Sequence, residues 1–128
     1  LNGSGHSTTI REGREPTTED LGRVPGIQRN GHPGPSNNAQ IRYEPSAHNV
    51  NMGPQKWAKN LPTSVLLEHE LVHADHITHG TGMSGTDRRT GVPNEELGTV
   101  GLKRNPLDPA FTENAYRKEL GLPTRTEY

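Results

Sequence analysis

His69-Glu70-Leu71-Val72-His73 spells H-E-x-x-H. On a helix, residues four apart share a face, so His69 and His73 can turn imidazole nitrogens toward one metal ion. Glu70 is rotated off that pair but stays within reach of a water on the same ion. Two imidazoles, a carboxylate base and a metal-bound water are the parts of a zinc hydrolase. The chain has no Cys, which removes thiolate ligands, disulfides and Cys nucleophiles together. Any metal site is therefore built from His and carboxylates, a donor set that suits catalytic zinc better than structural zinc.

Catalytic zinc takes three protein ligands and leaves the fourth position to water. Several residues compete for the third place. His76 shares the histidine face but lies about 10.5 Å along the axis from His69 at 1.5 Å per residue, too far for one ion. His79 has the spacing of H-E-x-x-H-x-x-G-x-x-H, yet His76 stands where that motif needs Gly. Asp87, in Gly85-Thr86-Asp87, is only a faint echo of a zinc-binding aspartate loop. Glu95 is the best candidate. The stretch Gly91-Val92-Pro93-Asn94-Glu95-Glu96-Leu97-Gly98-Thr99 resembles the G-x-x-N-E-x-x-S/T segment that supplies the glutamate ligand in thermolysin-like gluzincins. Glu96 is the fallback. The bland reading of the pair is a solvated helix start, where acidic residues favour the dipole. If Glu95 is the ligand, Asn94 or Thr99 is a natural partner behind it.

The motif needs a helix, and the sequence supplies one. It begins after Pro62, with Thr63 or Ser64 as N-cap, and stops at Gly80. At 100° per residue, Leu66, Leu67, Leu71, Ala74 and Ile77 form one broad arc. His69, His73 and His76 fall on a neighbouring arc, Glu70 flanks the first two, and Val65 and Val72 close the other side. Such a helix is buried and carries a site; the plainer alternative is a core helix with hydrogen-bonded histidines. Ala39-Gln40-Ile41-Arg42-Tyr43-Glu44 alternates with period two and predicts a strand stopped by Pro45. Residues 8–12 predict a short strand, and residues 14–38 a long polar loop. Residues 94–102 predict a short helix. Thr112 caps a further helix through Leu120, with Gly121 closing it.

Composition bounds the rest. A chain of 128 residues predicts one domain. Only 27% of it is hydrophobic, with one Trp, one Phe, 15 Gly and 11 Pro, so the core is small and the fold loop-rich. A net charge of −1, with no basic stripe, argues against nucleic acid or an anionic membrane as partner. No apolar run reaches the length of a membrane span or a signal-peptide core. Leu1-Asn2-Gly3-Ser4-Gly5 reads as a truncation point or a vector scar and carries no weight.

Larger stretches resemble the NleD-like family of bacterial type III secreted effector proteases. They are residues 66–74 around the motif, Asn94-Glu95-Glu96 with Thr99-Val100-Gly101-Leu102, and Thr112-Glu113-Asn114 through Arg117. Glu119-Leu120-Gly121-Leu122-Pro123, Arg125 and Tyr128 complete the set. The resemblance covers roughly residues 39–128, and the Thr-Glu-Asn…Glu-Leu-Gly-Leu-Pro tail is its specific part.

It implies an α+β fold, a small zincin-like domain of gluzincin type whose active-site helix packs on a short sheet. A catalytic domain over residues 39–128 would follow a loop-rich, partly flexible segment over residues 1–38, and the family carries a secretion signal upstream. It also implies translocation into host cytoplasm and cleavage of mitogen-activated protein kinases there; a monomer is expected.

In this reading one zinc ion is held by His69, His73 and Glu95. Glu70 acts as general base. Tyr116, Arg117 and Tyr128 compete as oxyanion stabiliser, with Arg117 and Tyr128 ahead because both belong to the tail. Residues 41–44 would form an edge to which an extended substrate adds as a strand. The competing reading is a non-catalytic zinc-binding module that sequesters a host partner. The intact Glu70 speaks against it. Structural zinc, with His76 or His79 as fourth ligand, is the third reading.

Overall fold

The computed structural model describes residues 5–13, 15–44 and 49–128. Residues 1–4 and Pro45, the expected stop of the strand before it, lie outside the described residues. The described chain is a small α+β unit: strands β1 (Thr8–Arg11), β2 (Thr17–Asp20) and β3 (Ala39–Arg42), a 3-10 turn at Lys56–Ala58, then helices α1 (Thr63–His79), α2 (Asn94–Val100) and α3 (Glu113–Glu119).

The sheet order is β1-β3-β2. β1 runs parallel to β3, with Ile10 beside Ile41, and β2 runs antiparallel to it, with Thr18 on the other side of Ile41. β3 is therefore the central strand. The expectation that residues 41–44 form an open edge is corrected: both flanks of β3 are paired, and the edge nearest the motif helix is β2. Residues 14–38 read as loop because Thr17-Thr18-Glu19-Asp20 carries no apolar alternation, yet they contain β2. Its pairing comes from β3, not from its own side chains.

Helix α1 lies across β2 and β3. Ala39, Ile41 and Ala74 are fully buried, with Tyr43, Leu67, Leu71 and Ile77 packed against them. Burying a side chain such as Ile41 contributes roughly 2 kcal/mol. The rest of the interior is unusually polar: His69, Glu70, His76, Thr99, Asn105, Glu113 and Arg117 are buried beside Val65, Val72, Leu97 and Val100. Charged groups persist in an interior only when paired, and their pairings build the site described below.

Local signals set the helix ends. α1 starts after Pro62, which acts as N-cap without a side-chain hydrogen bond, in place of Thr63 or Ser64. It ends at Gly80, which is left-handed (φ 69°) and returns its N–H to the His76 carbonyl. A Cβ at Gly80 would stand 2.2 Å from the Gly34 carbonyl oxygen. That close approach straps residues 26–37 to the helix end, through Gly34 N–H to Gly80 O and Asn37 N–H to Ile77 O. Thr112 caps α3 by accepting from the Ala115 N–H. Among the described residues, no helix is long and apolar enough to cross a membrane.

Candidate metal centre

His69 and His73 project from successive turns of α1 with ring centroids 4.9 Å apart and planes at 74°. Each has its two nitrogens committed in opposite directions. His69 Nδ1 is 2.7 Å from Glu113 Oε1, and His73 Nδ1 is 2.7 Å from Glu95 Oε2. A carboxylate only accepts, so both Nδ1 atoms carry the proton and donate. The Nε2 atoms converge instead on Glu96, at 3.5 Å from its Oε2 for His69 and 2.5 Å from its Oε1 for His73. One ligand atom from each of His69, His73 and Glu96 lies within 4.8 Å of the others. This donor set fits a divalent ion: two imidazoles fixed from behind by carboxylates, and a third carboxylate facing them.

The two adjacent glutamates of α2 face different ways. Glu95, expected from the sequence as third ligand, lies on the Nδ1 side of His73. Its Oε2 accepts from His73, His76 (2.8 Å) and the Thr99 hydroxyl (3.1 Å), and its Oε1 from the Met83 N–H (3.0 Å). Glu96, the fallback, is the one that reaches the Nε2 atoms. Burial pushes the Glu95 carboxyl up, but its imidazole donors outweigh that and hold it at about 2. For His73, burial disfavours the charge, yet Glu95 and Glu96 on either side raise it to about 10. With a carboxylate at each nitrogen, the ring is an imidazolium when no cation replaces its Nε2 proton.

Glu113, which the sequence marks only as part of the tail motif, stands directly behind His69. It is almost fully buried. Besides His69, it holds Arg117 Nε at 2.7 Å and Arg125 Nη1 at 3.3 Å. Burial raises its carboxyl, and His69 with the two arginines more than reverses this. Arg117, expected at the oxyanion, is itself buried. Its Nη1 donates to the carbonyls of Trp57 (2.7 Å) and Pro123 (3.1 Å). Arg125 stacks between the Trp57 ring (4.6 Å) and the Tyr128 ring (4.9 Å), and Asn114 pins its backbone at both N–H and carbonyl. The second expected oxyanion group, Tyr128, donates its hydroxyl to Glu96 Oε2 at 2.6 Å.

Glu70 is buried at the foot of the cleft, where the Thr18 hydroxyl lies 2.8 Å from its Oε1. β2 thus positions the base candidate, a role that nothing in its sequence signals. The cleft holds about 570 Å³, and Thr18, His69, Glu70, His73, Glu96 and Tyr128 are among its walls. His79 turns away to Asp75, and Asp87 to Thr90 and Lys103. Tyr116 is half-buried on α3 and does not line this cleft.

A family model for the M91 peptidases, described as an effector protein, matches residues 2–128. No curated protein and no solved structure matches the chain significantly.

Proposed function

The chain belongs to this M91 family of effector peptidases, and from that membership we propose that it is a single-zinc endopeptidase acting on a host protein. One observation supports the zinc reading above the others. The Nε2 atoms of His69 and His73 converge on Glu96, while both Nδ1 atoms are tied to carboxylates. We assign His69, His73 and Glu96 as ligands in a gluzincin-like arrangement. Glu95 and Glu113 fix the rings, so Glu95 moves from ligand to positioning residue.

Zinc bound there would supply an acidified water and polarise the scissile carbonyl. Glu70, next to His69 and held by Thr18, takes the proton from the attacking water and returns it to the leaving amine. Tyr128, at the mouth beside Glu96, offers its hydroxyl to the carbonyl oxygen as negative charge develops. Arg117 is a positioning residue: its guanidinium fixes Glu113, and Glu113 fixes His69. The outer edge of β2 lines the cleft through Thr17, Thr18 and Asp20. An extended substrate segment adds to this edge as a fourth strand and crosses the ligands. The substrate class follows from the tail resemblance: mitogen-activated protein kinases, met in the host cytoplasm after translocation.

The test is incubation of the zinc-loaded chain with candidate host kinases, with fragments mapped by mass spectrometry. One discrete cut, absent with Glu70→Gln, is the expected result. Binding of a kinase without cleavage, unchanged by Glu70→Gln, would replace the protease with a sequestering module.

A further inference from the structure

On the far side of Glu95 stands a second group of metal-binding type, formed by Asp75, His76 and Asp108, whose ligand atoms lie within 4.8 Å of one another. We propose that it is a second divalent-cation site, separate from the hydrolytic one, with zinc as its first-choice ion. His76 is fully buried. Its Nδ1 is 2.8 Å from Glu95 Oε2, which accepts, so Nδ1 carries a proton. The other nitrogen, Nε2, is buried and has no hydrogen-bond partner. It faces Asp108 Oδ2 at 3.7 Å, beyond hydrogen-bond reach.

A buried imidazole nitrogen left without a hydrogen-bond partner is unfavourable. The spacing is that of two ligands sharing an ion. Around a tetrahedral centre with bonds near 2.1 Å, neighbouring donor atoms are roughly 3.4 Å apart. One imidazole and two carboxylates suit zinc or a similar first-row divalent ion. A surface depression of about 350 Å³, lined by Asp75, His79, Thr81, Leu107 and Asp108, leads to the group. His79 already braces Asp75, with Nδ1 at 3.2 Å from Oδ1.

The ion would tie the loop at residues 105–108 to the last turns of α1. It would also keep His76 in the tautomer that donates to Glu95, and hence hold the carboxylate that orients His73. The two centres are thus joined as His73–Glu95–His76 without sharing a ligand.

Equilibrium dialysis against zinc chloride, followed by elemental analysis, tests this. Two equivalents are expected for the native chain, and one for both Asp108→Asn and Asp75→Asn. His69→Ala is expected to keep one equivalent, and the melting temperature of this variant should rise with zinc, while that of His69→Ala/Asp108→Asn should not. A single equivalent in the native chain, or two retained in both Asp variants, would overturn the site. If either Asp variant fails to fold, the native stoichiometry and the zinc response of His69→Ala still decide.

Discussion

The Glu113 carboxylate stands 2.7 Å from His69 Nδ1 across 44 residues of chain, buried and gripped from behind by Arg117 at 2.7 Å. α3 is thus the back wall of the candidate metal centre.

Partners behind a ligating His typically account for roughly 10–100-fold in metal affinity. Glu113→Gln should weaken zinc binding by about that factor in a chelator competition, and Arg117→Leu should do the same through a misplaced Glu113. Wild-type affinity in a folded Glu113→Gln protein would remove Glu113 from the site.

Glu95 and Glu96 separate in the same assay. Glu96→Ala removes a proposed ligand and should abolish stoichiometric binding at the candidate metal centre. Glu95→Ala should leave the ion in place but bind it roughly 10–100-fold more weakly. The reverse order would restore Glu95 as the ligand.

Glu70 and Tyr128 should affect turnover and not metal content. Glu70→Gln should lower kcat by at least about 10²–10⁴-fold, the usual worth of a positioned proton-transfer group. Tyr128→Phe should lower kcat by about 10²-fold with KM little changed, as loss of one oxyanion donor does. A Tyr128→Phe effect confined to KM would make Tyr128 a substrate contact.

Acid–base linkage predicts how the metal-free protein responds to pH. His73 titrates at about 10 in the fold against an ordinary 6.5, so the fold binds its proton more tightly than the unfolded chain does. That stability is fully present below pH 6.5 and is lost as pH rises through about 10. Glu95 is held at about 2 against 4.5; its contribution is present above pH 4.5 and is lost as pH falls through about 2. Urea unfolding with a chelator present should therefore show greatest stability between about pH 4.5 and 6.5. Zinc must displace the His73 proton, so calorimetry in buffers of different ionisation enthalpy should show proton release on binding. Stability that keeps rising from pH 7 to 10 would contradict the His73 pairing.

What was legible in the sequence was local. The H-E-x-x-H spacing, the Gly80 stop, the Thr112 cap and the period of residues 39–44 act over a few residues, where backbone geometry alone dictates placement. So His69 and His73 share one helix face, with Glu70 flanking them, however the rest folds. Only the tertiary structure distinguished Glu95 from Glu96, because neighbours on a helix point about 100° apart and the docking of α2 on α1 selects which one meets the Nε2 atoms. It also recruited the polar β2 to hold Glu70 and turned Arg117 inward. Finally, it joined Glu113 to His69 and brought Asp108 to face His76. These are contacts between distant segments, and a buried charge leaves no pattern in sequence; only the requirement that it be paired reveals it, once its surroundings are known.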